Sequence, residues 1–308
     1  MLHVQNEFDP LKRVLLGTAV QNGPQPTLDQ LYDPKSREHL LAGTYPTASE
    51  IQSELDHFKR RLEAYGVEVI HPEIVPDVNQ IYARDIGFVI DQTLVRSNIL
   101  PLRAKEIQGL DVVWETLTEN QKQVLDATVH VEGGDVMPHN DHLFIGYYDA
   151  ADYSDLITAR TNTAAIEALQ LAFPQKKVKG FRLTKSNTDP YRNALHLDCC
   201  FQPLGRGRLL LHPEGFADLE DLEWIRDHFR SEHICILNAT EMYGMQCNLF
   251  SINPEVVVSD PNFSRVNQWL GSQGFYVEKI PYSSVAKQEG LFRCTTLPLE
   301  RKSNSDEI

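Results

Sequence analysis

One pattern recurs along this chain and limits what it can fold into: a β-hairpin, then a helix, then one further strand. The first copy is partial. It has a strand at 13–17, a helix opened by Ser49 as N-cap, and a strand at 67–70. That helix carries Ile51, Leu55, Phe58 and Leu62 at helical spacing up to Gly66. A hairpin turning at 91–93 pairs 82–90 with 94–99, and 103–110 and 116–125 read as helical. Another turns at Asn140 and Asp141 between 136–137 and 142–147, before a helix with Ala164, Ile166, Leu169 and Leu171 and a strand at 178–183. A further hairpin pairs 196–201 with 208–211, ahead of a helix over 218–230 and a strand at 233–237. The last turns at Asn253 and Pro254 between 248–252 and 256–258, ahead of a helix over 262–272 and a strand at 274–277. Units this long and this weakly alike stack around an axis rather than along a solenoid. Residues 18–48, rich in Pro, Gly, Asp and Thr, read as a long loop with one helical turn. The whole is expected to be one domain over 1–300, with 301–308 a frayed polar tail.

Stacking around an axis would gather the polar residues at strand starts, Asp85, Glu132 and His196, at one end. The short motif 291–299 adds Cys294 to these candidates. It follows Arg293, precedes Thr295 and Thr296, and lies on an apolar run broken by Pro298. A neighbouring cation stabilises a thiolate, and a histidine can move the protons. Each residue also has a plainer reading. Cys294 could be a small core residue, and His196 a hydrogen-bonded strand histidine. Glu132 to Asp135 could be a tight turn whose glycines supply positive φ while the acids face solvent. Asp85 could pair with Arg84, and Arg160 could be a solvated charge. Cys199 and Cys200 are expected to pack. With His196 they lack a fourth ligand at zinc spacing, so no metal is expected.

The formal net charge of -14 excludes a general nucleic-acid binder, which needs a basic surplus, and suits a cationic substrate. Residues 1–8 show neither the basic region nor the apolar core of a signal peptide. No apolar run approaches the roughly 20 residues that span a membrane. The five cysteines are odd in number and contain no C-x-x-C pair, which points to a reducing cytoplasm.

Five motifs, in this order, resemble those of the guanidino-group-modifying superfamily of arginine deiminases, amidinotransferases and dimethylargininases. They are Tyr82-Ala83-Arg84-Asp85, Glu132-Gly133-Gly134-Asp135, Arg160-Thr161-Asn162, His196-Leu197-Asp198 and Arg293-Cys294-Thr295-Thr296-Leu297-Pro298-Leu299. The stretch Asn6 to Gly17 looks amidinotransferase-like. The resemblance implies an α/β fold, the five-bladed α/β propeller of pseudo-repeated ββαβ modules known as the pentein fold. It implies Cys294 as nucleophile and His196 as the proton-transfer residue. Glu132 and Asp198 match the carboxylates that hold the guanidinium, Asp85 matches a third acid, and Asp135 is grouped with the substrate-binding acids. Arg160 resembles the arginine that binds the substrate's α-carboxylate in deiminases. There is a departure: deiminases carry another arginine in the loop before the nucleophile. Here 286–292 offers Lys287 instead, and Glu289 would repel a carboxylate.

The expected activity is therefore cofactor-free hydrolysis of arginine or a related guanidino compound, through a covalent amidino-thioether, to a ureido product and ammonia or an amine. An amidinotransferase, with an acceptor amine in place of water, is the second reading. A non-catalytic arginine-binding module is the third. The implied partner is a small cationic guanidino substrate, with no nucleic acid and no membrane; homo-oligomer formation stays open.

Overall fold

The computed structural model describes residues 1–302. Its backbone forms five three-stranded sheets with one shared connectivity, an antiparallel pair whose second strand also pairs in parallel with a third after a crossover. Four modules are contiguous in sequence. The first has β3 (Gly87–Ile90), β4 (Thr93–Arg96), a one-turn helix α3 (Asp111–Trp114) and β5 (Lys122–Val124). The second has β6 (Val136–His139), β7 (His142–Tyr147), α4 (Ala164–Ala172) and β8 (Lys177–Arg182). The third has β9 (Phe201–Leu204), β10 (Arg208–Leu211), α5 (Leu219–Phe229) and β11 (Ile234–Ile236), followed by the short α6 (Ala239–Tyr243). The fourth has β12 (Phe250–Asn253), β13 (Val256–Ser259), α7 (Ser264–Ser272) and β14 (Tyr276–Lys279), then α8 (Ser283–Ala286). The remaining module joins distant parts of the chain. β1 (Leu11–Leu16) runs parallel to β2 (Glu68–Ile70) and antiparallel to β15 (Thr296–Arg301), with α1 (Pro34–Leu41) and α2 (Ala48–Ala64) in between. This is the five-bladed α/β propeller expected, closed by pairing β15 with β1.

Local chemistry explains most of the elements. Two hairpins turn on residues with positive φ, Asp91 at 51° and Asn140 at 58°, types that tolerate the left-handed region better than other side chains. Helix α2 starts at Thr47 rather than Ser49. Thr47 accepts from the Glu50 amide while Glu50 reaches back to the Thr47 amide, a reciprocal cap that Ser49, now inside the helix, does not make. The segment 116–125 is helical only in a single 3-10 turn, Glu119–Gln121, because its end supplies β5, the strand that completes the sheet beside β4. Residues 18–48 hold the two-turn helix α1, not a single turn. Asp33 caps it, accepting from the Ser36 amide at 2.7 Å, and Pro34 opens it. The polar tail expected from 301 starts later: Arg301 ends β15, buried, donating to the Asp9 and Ser251 carbonyls. Residues 303–308 of that tail lie outside the described residues. No helix among the described residues is long and apolar enough to cross a membrane.

Two packing features set where the polar turns sit. First, the apolar face of α2 buries Ile51, Leu55, Phe58 and Leu62. Phe58 meets Phe250, Tyr282 and Phe292 edge-on, with ring centroids 6.0, 5.7 and 5.2 Å apart. Such contacts contribute about 0.5–1.5 kcal/mol each beyond area burial, and Phe292 lies two residues before Cys294. Second, the residues just ahead of each module's leading strand form tight turns, not strand: 82–86, 132–135, 196–199, 245–248 and 292–295. His196 and Asp198, expected on a strand, therefore sit on a single 3-10 turn before β9.

A half-buried histidine gives the fold an acid-sensitive point. His139 ends β6, with its ring against Phe8, Phe144 and Phe229. Burial, with His228 and His142 nearby, pushes it down to about 4. The native state thus favours the neutral ring. Its stabilisation is complete above the unfolded value of about 6.5 and is lost as pH falls toward 4. Replacing it by His139→Phe should preserve the packing and remove a loss of up to about 3 kcal/mol between pH 7 and pH 4. Chemical denaturation at a series of pH values checks this; parallel pH curves for the two proteins would refute it.

Candidate active site

The turn 292–295 holds Cys294 buried, with its sulfur between an amide and an acid. Asn248 Nδ2 donates to Cys294 Sγ at 3.1 Å, and Asp198 Oδ2 lies 3.6 Å from the same sulfur. Asn248 Oδ1 accepts from the Leu291 and Cys294 amides, both at 3.1 Å, which fixes the turn. Gly290 must lack a side chain, because a β-carbon there would lie 2.3 Å from the Tyr82 ring and 3.0 Å from Cys294 Cβ. Burial, with the charges of Asp198 and Asp85, pushes the Cys294 thiol well up. Arg293, the sequence neighbour expected to favour the thiolate, acts in that direction but more weakly than burial and the two acids. Its N–H groups go to both oxygens of Glu7, to Asp198 Oδ2 at 2.8 Å, and to the Gly134 and Val136 carbonyls.

Two carboxylates share the imidazole. His196 Nε2 donates to Glu132 Oε2 at 2.9 Å, and Nδ1 lies 3.8 Å from Asp85 Oδ1. Burial alone would lower the His196 pKa; Asp85 and the Glu132 hydrogen bond outweigh it and raise it, so the ring tends to carry a proton. The glycines of the 132–135 motif have negative φ and serve close approach instead. A β-carbon on Gly134 would meet the His196 ring at 2.6 Å, and one on Gly133 would meet the Arg84 carbonyl oxygen at 2.1 Å. Neither acid of the motif faces solvent. Asp135 Oδ1 accepts from the Leu197 amide at 2.8 Å, holding the turn that carries His196 and Asp198.

Which carboxylate oxygens remain free is informative. Glu132 is fully used: Oε1 accepts from the Leu100 amide, and Oε2 from Arg103, Arg160 and His196. Burial would raise its pKa, but Arg160 and Arg103 carry it well below the usual range. Arg160 is equally committed, to the Ile157 carbonyl, Glu132 and the Tyr32 carbonyl. Arg103, which no sequence motif marked, bridges Asp85 Oδ2 at 2.8 Å and Glu132 Oε2 at 3.0 Å, and pairs with Glu106 through Nε and Nη2. Asp85 Oδ1, by contrast, is buried without a hydrogen-bond partner, and Asp198 Oδ1 meets only the weak thiol donor of Cys199 at 3.8 Å. Asp85, Glu132 and His196 offer atoms within 4.8 Å of one another, a spacing that could hold a metal. The donor set does not fit one: Arg103 Nη1 already fills the gap between the two acids, and Arg160 adds a second positive charge.

The segment containing α1 covers this chamber. The Tyr32 ring lies over both Arg103 and Arg160, 5.1 and 5.4 Å from its centroid. Glu289, on the loop before Cys294, accepts from Asn193 Nδ2 at 2.6 Å and from the Lys35 amide at 3.4 Å. Burial and the facing Asp33 carboxyl push Glu289 well above the usual range, so Glu289 tends to keep its proton. A cavity of about 710 Å³ is lined by Tyr32, Asp33, Tyr45, Tyr82, Arg103 and Gln288, among others. Cys294 and His196 do not line it; of the residues that do, Arg103 also pairs with Asp85 and Glu132.

Several relatives bear on this geometry. The uncharacterized protein YkgA of Bacillus subtilis is 27% identical over 243 residues, 78% of this chain and 77% of its own length. Arginine deiminase of Streptococcus equi subsp. zooepidemicus is 26% identical over 57% of this chain and 47% of its own length. Among solved structures, the N-terminal domain of ArgZ, a cyanobacterial arginine dihydrolase, superposes with a TM-score of 0.77 at 18% identity, covering 94% of this chain and 98% of that one. Inosamine-phosphate amidinotransferase StrB1 of Streptomyces griseus gives 0.75 at 19% identity over 98% and 97%. No family model matches the chain. Its fold is that of the α/β propellers of amidinotransferases and their relatives. The chain is thus similar in sequence to an arginine deiminase and in fold to guanidino-modifying enzymes of both kinds, dihydrolase and amidinotransferase.

Glu7 is the other residue that the motifs did not mark. Burial would raise its pKa, yet Arg293 and Arg84 bring it down to about 2. Replacing it, Glu7→Ala, strands two buried guanidinium groups and should cost about 3–5 kcal/mol in urea denaturation. A change under about 1 kcal/mol would show that Arg293 finds other partners.

Proposed function

We propose that this protein is a cysteine-dependent hydrolase of a guanidino compound. The observation that supports this best is the pair of underused acceptors, Asp85 Oδ1 beside the imidazole and Asp198 beside the sulfur. A planar guanidinium presents N–H groups along its edges, and two carboxylates can bind it and hold its carbon against a nucleophile. Glu132, fully occupied, orients His196 rather than binding the substrate. The cation itself activates the sulfur: seated between Asp85 and Asp198, it neutralises two charges that hold the thiol up, and the thiol proton is released to bulk water in exchange for the bound cation.

The steps then balance. Cys294 Sγ forms a bond to the guanidinium carbon. As the C–N bond breaks, His196 gives its Nδ1 proton to the departing amine, Nε2 being held by Glu132. The neutral imidazole next takes a proton from water. Water's oxygen bonds to the carbon, the S–C bond breaks, and the hydroxyl proton passes to the departing sulfur, leaving the ureido product, the thiol and a protonated His196. Amidino transfer is the second reading, supported by the amidinotransferase-like stretch Asn6–Gly17, whose Glu7 anchors Arg293.

Incubation with arginine and a panel of guanidino compounds, with and without glycine, tests this by ammonia release and product mass. Hydrolysis gives ureido products; transfer gives a new guanidine only when the acceptor is present. Cys294→Ser and His196→Ala should lower turnover at least about a thousandfold. Asp85→Asn and Asp198→Asn should weaken substrate binding as well as rate. Undiminished turnover by Cys294→Ser would end the proposal.

A further inference from the structure

Asn248 stands two residues ahead of β12, as Asp85 stands two ahead of β3 and Cys294 two ahead of β15. It is that module's contribution to the end where the other polar residues meet. Its side chain is fully buried and makes four hydrogen bonds. Oδ1 accepts from the Leu291 and Cys294 amides; Nδ2 donates to Cys294 Sγ at 3.1 Å and to the Asp198 carbonyl at 3.4 Å. The two backbone donors settle which way the amide faces, because only an oxygen can accept from them. The nitrogen must then point at the sulfur.

We propose that Asn248 is a catalytic residue, donating to Cys294 Sγ to stabilise the thiolate when it attacks and again when it is released. The inference rests on the cysteine mechanism above. Among the described residues, Asn248 is the one side chain that donates a hydrogen bond to this sulfur; Asp198 Oδ2 can only accept, which favours the thiol. A neutral thiol accepts hydrogen bonds weakly and a thiolate strongly, so the donor acts on the charged form. The chemistry also explains an amide at this place. A lysine or arginine would hold the thiolate too, but would repel the incoming guanidinium. An uncharged donor does the first without the second.

The test uses Asn248→Asp, which keeps the shape and the acceptor for both backbone N–H groups but puts a negative oxygen where the donor was. Iodoacetamide alkylation of Cys294, followed by peptide mass between pH 6 and pH 10, reads thiolate formation directly. The midpoint should rise by at least about one pH unit, about tenfold less thiolate at a fixed pH. With substrate, kcat should fall about tenfold or more, while KM changes less than about threefold. Asn248→Ser, which withdraws both ends of the amide, should raise the midpoint too, and decides the matter should the aspartate variant fail to fold. An unchanged midpoint in a variant with a native melting temperature would overturn the proposal. Alkylation needs no turnover. An unaltered protein that alkylates normally yet processes no guanidine would remove the hydrolase reading and leave the role of Asn248 standing on its own measurement.

Discussion

The structure depends on one buried cation. Arg293 spends its N–H groups on Glu7, Asp198 and two carbonyls, and in doing so joins three distant stretches of chain. Glu7 precedes β1, Gly134 and Val136 belong to the approach to β6, and Asp198 belongs to the turn before β9. A charge removed from water this completely survives only when every donor has a partner. The turns ahead of the leading strands are therefore held in one arrangement. The neighbouring cysteine inherits its place from that arrangement, not its charge.

The same logic governs the acids. A cluster of carboxylates far from solvent would drive itself apart or protonate, and here resident guanidinium groups neutralise it. Arg103 and Arg160 compensate Asp85, Glu132 and Glu106. What is left uncommitted is small and defined, Oδ1 of Asp85 and Oδ1 of Asp198. The imidazole is tuned by the remainder: Glu132 on one nitrogen and Asp85 near the other overcome the effect of burial. The sulfur, by contrast, is held in its protonated form by burial and by the charges of Asp198 and Asp85.

Much of this was legible in the sequence, for identifiable reasons. The period of hairpin, helix and strand marked the modules, because alternation and turn residues such as Asp91 and Asn140 act locally. Helix α1 and strand β5 were not legible, since Asp33 as a cap competes with a proline-rich setting and β5 takes its conformation from β4. The motifs located Asp85, Glu132, His196, Asp198 and Cys294 near the site. They did not reveal that Glu132 is saturated, that Asp135 holds the Leu197 turn, or that Arg160 is already bound to Tyr32 and Glu132. Arg103 was legible only as part of a helical stretch, the 3-10 run Pro101–Leu110, where no motif sets it apart from its neighbours. Asn248 did leave one. The rule that polar residues open the leading strands, applied to β12, points to it.

The division between turns and cover has a consequence for how such a protein can change over generations. Gly134 and Gly290 leave no room for even one added carbon, so the chemistry-bearing turns have almost no neighbouring sequences that still work. The covering segment meets the chamber through a few replaceable contacts, Tyr32 over the arginines and Asp33 against Glu289. Selection for a new substrate would therefore leave its marks in 18–48 and scarcely any in the five turns. Diverging descendants would share their reactive residues while differing in what they admit.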